Sequence, residues 1–249
     1  MKYRIHHKAV TTSTNLDARA GSPGDVYTAA EQTCGRGRLN HRWLSPSGAN
    51  LMMSVVLDVE GLFPEHVSTF PLMVGLAVRD ALLRFLPSRA ERRVQCAGAV
   101  PNVQLKWPND VWVDGRKIAG ILCERKGDSV IAGIGVNVNQ TSFDAEIADR
   151  ATSLANVRGV GGLVSVDMVR DAVLEALDKR FSDWRAKGFV YLHADYVAAD
   201  ALAGRTISVR QTDDDAAPVT GRCDGVMPDG TLLVAGTPIF AGEAHIENY

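Results

Sequence analysis

Arg36 and Arg38, set between Gly35 and Gly37 and followed by Trp43, are the residues of this sequence whose spacing most suits holding an anion. A guanidinium stays charged at cellular pH and is costly to bury unpaired. The intervening glycines let the backbone come close to a ligand, so that main-chain N–H groups can help hold an oxyanion. A short basic run is equally a solvated loop when read alone, so the rest of the chain has to decide. Further on, Lys106 and Asp110 lie near Lys117 in sequence, and Gly133 and Gly135 interrupt an apolar run where a ligand or another part of the chain could approach closely. Four cations against one acid, Asp110, imply a multiply charged ligand. A nucleotide condensing with a carboxylate would suit, because phosphate and carboxylate repel each other and must be brought together by cations. The plainer alternative is that Lys106 and Lys117 pair with Asp110 and Glu124.

Bulk properties narrow the field. The chain has 249 residues, 46% of them hydrophobic, and a formal net charge of −2, which is ordinary for a globular protein. Such a balance gives no general pull toward nucleic acid or acidic membranes, so anion recognition must be local. Cys34, Cys96, Cys123 and Cys223 are scattered without close zinc-type pairs, and no signal sequence or membrane-length apolar run is present. Reduced thiols and a cytoplasmic setting are expected. There is no Walker-type loop, no dinucleotide fingerprint and no evident Ser-His-Asp or Cys-His arrangement.

The elements that must position these residues follow from pattern. Ser13, Thr14 and Asn15 precede a short helical stretch and read as its N-terminal cap. Residues 26–30 read as a short strand leading to Glu31 and Gln32, so the arginine stretch begins where a strand stops. Asn50 stands at the entrance of a strand over 51–59, and residues 70–86 carry helical apolar spacing. Residues 87–98 read as an exposed polar connection. A hairpin is predicted with strands over 103–106 and 111–113 and a return over 117–124, turning at Asp114-Gly115. Trp107 and Trp112 read as core. Residues 129–139 read as a buried strand. A helix capped by Asp167 runs to about Lys187 with Val173, Leu177, Phe181 and Trp184 on its core face. Beyond Ala203 the pattern changes to short strands over 206–210, 219–227, 232–234 and 239–246, broken at Asp213 to Asp215, which suggests a small antiparallel barrel. The domain expectation is therefore 1–203 and 204–249.

The segments STN at Ser13 to Asn15, GRGR with its tryptophan over 35–43, SPSGANL over 45–51, KWPND over 106–110, GRKIAGIL over 115–122 and GIGVNVN over 133–139 resemble the catalytic domain of biotin protein ligases. They stand in that family's order and cover residues 13–139. The terminal segment resembles the small SH3-like barrel the family carries. The resemblance implies an α+β fold, a mixed β-sheet flanked by helices of class II synthetase-like type, with a C-terminal SH3-like barrel. It implies that biotin and ATP, with Mg2+, give biotinyl-5'-AMP and pyrophosphate, after which a lysine of a biotin carboxyl carrier domain attacks the mixed anhydride.

By the same resemblance, Ser13, Thr14, Asn15, Gln32, Gly35, Arg36, Gly37, Arg38, Lys117 and Gly120 would bind biotin. Arg36, Arg38, Trp43, Asn50, Lys106, Asn109, Gly133, Gly135 and Asn137 would serve the nucleotide. Arg38, Lys106, Asp110 and Lys117 would be catalytic, Asp110 acting on the acceptor lysine, while the magnesium ligands stay unassigned. With about a dozen residues before Ser13, the helix-turn-helix of repressor-type members is not expected. Neither nucleic-acid nor membrane binding is expected, and the chain would be a monomer or homodimer. Leu39, Asn40 and His41 stand where many members have further glycine or basic residues, and His41 has no evident partner. A lipoate ligase, or a non-catalytic biotin-sensing or carrier-docking protein, are the competing readings.

Overall fold

A computed structural model describes residues 2–86, 100–159, 163–211 and 217–247. The elements in order are β1 (Arg4–Thr11), α1 (Thr14–Ala18), β2 (Asp25–Gln32), β3 (Leu51–Asp58), α2 (Pro64–Ser68), α3 (Phe70–Leu83), β4 (Val103–Lys106), β5 (Asp110–Val113), β6 (Arg116–Lys126) and β7 (Ser129–Val136). Then come α4 (Leu154–Arg158), α5 (Val166–Lys187), α6 (Phe189–Val197), β8 (Thr206–Gln211), β9 (Val219–Val226), β10 (Leu232–Val234), β11 (Thr237–Ile239) and β12 (Gly242–Ile246). A mixed sheet has the order β1-β2-β3-β7-β6-β5-β4, with β1 parallel to β2 and the other neighbours antiparallel. A second, antiparallel sheet runs β11-β10-β9-β8-β12. The fold is thus α+β with helices flanking a mixed sheet and a small C-terminal sheet, consistent with an SH3-like domain.

Side-chain alternation with a period of two gives the large sheet its two faces. Val55 of β3 and Ala132 and Ile134 of β7 turn toward α3 and α5, where Phe70, Phe181 and Trp184 pack edge-on and stacked. Val56 and Ile131 turn the other way and are covered by Ala18 of α1. That second face also carries Ser54, Gly133 and Gly135, and it is the face on which the site is built. The main core continues without a break into the second sheet through Ile207, Val209, Cys223 and Leu232. Trp107 is buried, and its indole N–H donates to the Gly230 carbonyl at 3.1 Å. The change of pattern after Ala203 therefore marks a change of sheet rather than a break in the core.

Several expectations differ in detail. The polar start contains β1, an exposed edge strand whose alternation is hidden because neither of its faces is deeply buried. The long helix is capped by Ser165, whose side chain accepts from Met168 N, whereas Asp167 lies in the first turn and takes an ion pair with Arg170 at 2.6 Å. Ser13 stands at the start of α1 but makes no side-chain capping bond. The expected last strand is two strands, β11 and β12, which pair with different partners on opposite edges of the small sheet. The helix α6 carried no reading from sequence. The polar connection over 87–98, Cys96 and the acidic break at Asp213 to Asp215 lie outside the described residues. Cys34, Cys123 and Cys223 are free thiols. No helix among the described residues is long and apolar enough to cross a membrane.

In the core, the Trp184 indole N–H donates to Thr69 Oγ1 at 2.8 Å, and both groups are buried. Thr69→Val keeps the volume but strands that donor, an error that costs about 1–3 kcal/mol. The expected result in denaturant unfolding is a lower midpoint with an unchanged slope.

Candidate active site

Above the second face of the large sheet lies a cleft of about 1130 Å3. The N-terminus of α1, the end of β2, the loop over 36–44, the β4–β5–β6 segment, β7, residues 143–151 and the strand β12 all contribute to its wall. Its floor is formed where glycines remove side chains. A Cβ on Gly133 would stand 2.1 Å from Asn15 Oδ1, and one on Gly135 would stand 2.5 Å from the Trp43 ring. The close approach expected at these glycines is thus made by two of the protein's own side chains. Gly120, across the strand pair from Gly135, lies beneath Trp43 and Lys117 in the same way.

At the α1 end the polar groups hold one another. Gln32 Oε1 accepts from Thr14 N at 2.7 Å and from Thr14 Oγ1 at 3.1 Å. The Ser54 hydroxyl donates to Asn15 Oδ1 at 2.6 Å. The Asn15 amide donates to Glu124 Oε2 at 2.7 Å and to the Leu122 carbonyl at 3.3 Å. Asn15 therefore spends its carboxamide on protein partners. Glu124 was expected, if anywhere, beside the lysines; it instead gathers Asn15, Arg19 at 3.1 Å and Arg36 at 3.1 Å. Burial acts to raise its pKa, but the hydrogen bonds from Asn15 and Arg19 and the charges of Arg36 and Arg19 bring it below that of a free glutamate.

The loop is a small hairpin. Arg36 bridges Arg42 in antiparallel fashion, Trp43 N donates to Gly35 O at 3.0 Å and Gly37 N to His41 O at 2.7 Å. Leu39 at its tip has a φ of 48°, a left-handed backbone that a leucine adopts at some cost. Arg38 reaches inward and donates to the Gly242 carbonyl of β12 at 3.1 Å and toward Asn109 Oδ1 at 3.5 Å. Burial lowers its pKa, opposed by the charges of Asp110 and Glu243. His41, without an evident partner in sequence, lies 3.7 Å from Glu243. Gly35 packs against the Trp43 carbonyl and lies outside the cleft lining.

On the hairpin side, Lys117 Nζ lies 2.7 Å from Asp110 Oδ1 and 5.9 Å from the Trp43 ring centroid. Asp114 and Gly115 turn the hairpin with φ of 50° and 79°, as its primed turn requires. Lys106 does not pair with Glu124; it sits over Trp112, 5.1 Å from the ring centroid. Burial lowers the Lys106 pKa, and Asp110 opposes that shift. Trp112 is a cleft residue, not a core one: its indole nitrogen, like that of Trp43, is buried in the cleft wall with no hydrogen-bond partner. Asn109 donates to the Ile121 carbonyl at 2.7 Å and Asn137 to Thr152 O at 3.0 Å, both from the cleft wall.

Of the residues singled out in sequence, Ser13, Thr14, Asn15, Gln32, Arg36, Gly37, Arg38, Trp43, Lys106, Asn109, Asp110, Lys117, Gly120, Gly133, Gly135 and Asn137 line this cleft. Asn50 does not. It is 2% exposed, accepts from Val138 N at 2.9 Å, donates to Gln140 at 2.7 Å and borders a separate small cavity with His7 and Asn139. Glu243, His245 and Arg150 line the cleft without having been anticipated; they lie far in sequence from the arginine loop and the lysines that they face. Among the described residues, no group of three or more His, Cys, Asp or Glu is placed to hold a metal ion.

Residues 7–140 match the sequence model of the biotin/lipoate A/B protein ligase family, and the chain belongs to that family. A biotin--[acetyl-CoA-carboxylase] ligase from Mycobacterium tuberculosis is 35% identical over 211 residues, covering 81% of this chain and 72% of that protein. Another from Paracoccus denitrificans is 31% identical over 243 residues, covering 92% of each. Among solved structures, the biotin protein ligase from Aquifex aeolicus in complex with biotin and ATP superposes with a TM-score of 0.82 at 27% identity, over 100% of both chains.

The glycine floor can be tested directly. Gly133→Ala is expected to expel Asn15 and cost about 1–3 kcal/mol, as overpacking does. Adding Asn15→Ala should recover part of that loss, so a double-mutant cycle of thermal or denaturant unfolding should be clearly non-additive.

Proposed function

We propose that this chain activates biotin with ATP to biotinyl-5'-AMP and transfers the biotinyl group to a lysine of a biotin carboxyl carrier domain. The observation that carries this reading is the convergence of Arg36, Arg38, Lys106 and Lys117, from separate segments, on one cleft in a chain of this family. Such a cleft can hold a carboxylate against an α-phosphate, whose mutual repulsion otherwise keeps them apart. The carboxylate oxygen then attacks the α-phosphorus and pyrophosphate leaves. In the second half-reaction the acceptor amine attacks the acyl carbon and AMP leaves.

The residues divide this work by position. Ser13 offers a polar group to biotin at the α1 end, Thr14 and Gln32 would share with it the bonds they now make to each other, and Asn15, whose amide and carbonyl are both engaged, shapes that end. Lys117, held by Asp110, is placed to receive a carboxylate in exchange. Lys106, desolvated over Trp112, and Arg38 face the phosphates, and a buried ammonium acts strongly on a nearby anion because little water screens it. The Trp43 ring, which lines the cleft beside Lys117, offers the adenine a flat face. Asp110, once Lys117 turns to the ligand, can orient the acceptor amine. Asn50 acts at a distance by fixing the backbone after β7. Among the described residues no group of three or more His, Cys, Asp or Glu is placed to hold a metal ion, and magnesium bound with ATP would be held chiefly by the triphosphate, where it would offset phosphate charge.

Mixing the purified chain with ATP, magnesium, biotin and a carrier domain should raise the carrier's mass by one biotinyl group; a gain only with lipoate would sink the reading. Lys117→Ala should lower adenylate formation by at least about 100-fold, the scale of losing a charge-stabilising donor. Arg38→Ala should chiefly speed release of biotinyl-5'-AMP. Equal effects of both substitutions on formation and release would contradict these roles.

A further inference from the structure

Glu124 is the one acid on β6, it reaches Arg36 of the arginine loop, and nothing in the two half-reactions uses it. The alternation of β6 puts Gly120, Leu122 and Glu124 on the same face, opposite Gly135, Gly133 and Ile131 of β7. Its side chain is 19% exposed, and its oxygen Oε1 lies 3.1 Å from both Arg36 and Arg19 while Oε2 takes the Asn15 amide at 2.7 Å. Arg36 itself is held at its backbone by the bridge to Arg42, so its guanidinium is the part free to change partner. Glu124 is thus a carboxylate already seated on the arginine that the proposed reaction needs for a substrate anion.

We infer that Glu124 is a positioning residue that competes with the ligand: it holds Arg36 in the free protein and surrenders it when the adenylate anion arrives, thereby setting how long the adenylate is retained. The inference rests on the proposed function, because the competing anion is the biotinyl-5'-AMP phosphate. Arg19 belongs to the same balance. By sharing Oε1 it weakens the hold of Glu124 on Arg36, and neither Arg19 nor Glu124 itself lines the cleft. Removing the carboxylate charge and removing Arg19 should therefore have opposite effects on retention, a pattern that loss of structure does not produce. The Asn15 bond is preserved in Glu124→Gln, since the amide oxygen still accepts.

The test is the dissociation rate of biotinyl-5'-AMP from the full chain, with kcat and KM for biotin alongside. Exposed ion pairs of this kind shift an equilibrium by about two- to fivefold. Glu124→Gln should slow release by about that factor and lower KM more than it changes kcat, Arg19→Ala should speed release, and Glu124→Asp should return toward the parent rate. Faster release in Glu124→Gln, or the same direction of change in both Glu124→Gln and Arg19→Ala, overturns the competition and makes Glu124 a support of Arg36 in its ligand-bound position. A parent chain that binds no biotinyl-5'-AMP defeats the functional reading, whereas normal binding with no change in either variant defeats this inference alone.

Discussion

The cleft depends on a short length of β7 that has no side chains on one face. An asparagine amide and an indole lie flat against Gly133 and Gly135, at separations a Cβ could not tolerate. Everything above them is placed by that contact. Asn15 sits low enough to reach Ser54, Leu122 and Glu124 together, and Trp43 sits low enough to bring the end of the arginine loop against the sheet and beside Lys117. A larger residue at either glycine would lift an entire wall, not one group. The glycines matter here for the room they leave, since neither has a left-handed backbone.

On that floor, most of the cations already have partners. Lys117 rests on Asp110, Arg36 on Glu124, Arg38 on a backbone carbonyl and Lys106 on an aromatic face. An incoming anion therefore exchanges contacts instead of finding bare charge. This keeps several like charges together at tolerable cost when no anion is bound, because each is offset locally and the partners are weak enough to yield. The same arrangement favours a ligand with more than one negative group, which can displace several partners at once.

Much of this was legible in the sequence because the signals were local. Asp114-Gly115 marked the turn of the β5–β6 hairpin, the apolar spacing of residues 70–86 marked α3, which ends at Leu83, and the glycines of β7 marked a close approach. What escaped notice was what depends on distant partners. The strand β1 looks polar because it is an exposed edge, and nothing near Glu243 marks it as part of a site formed mainly by other segments. Asn50 shows the opposite failure: its place beside a matching motif suggested a ligand contact, but the side chain turns away to tie two backbone segments together. Glu124 stood close enough in sequence to the lysines to suggest a pair with them, yet alternation along β6 points it toward α1.

The bond from Arg38 to the Gly242 carbonyl joins groups 204 residues apart. At ordinary rates of synthesis, roughly ten to forty seconds separate the emergence of the arginine loop from that of its acceptor. During that interval the nascent chain carries the guanidinium without the strand against which it docks. The anion-binding loop is thus among the early segments to be made and among the late ones to be completed, so an assembled cleft reports that the small C-terminal sheet has folded onto the rest.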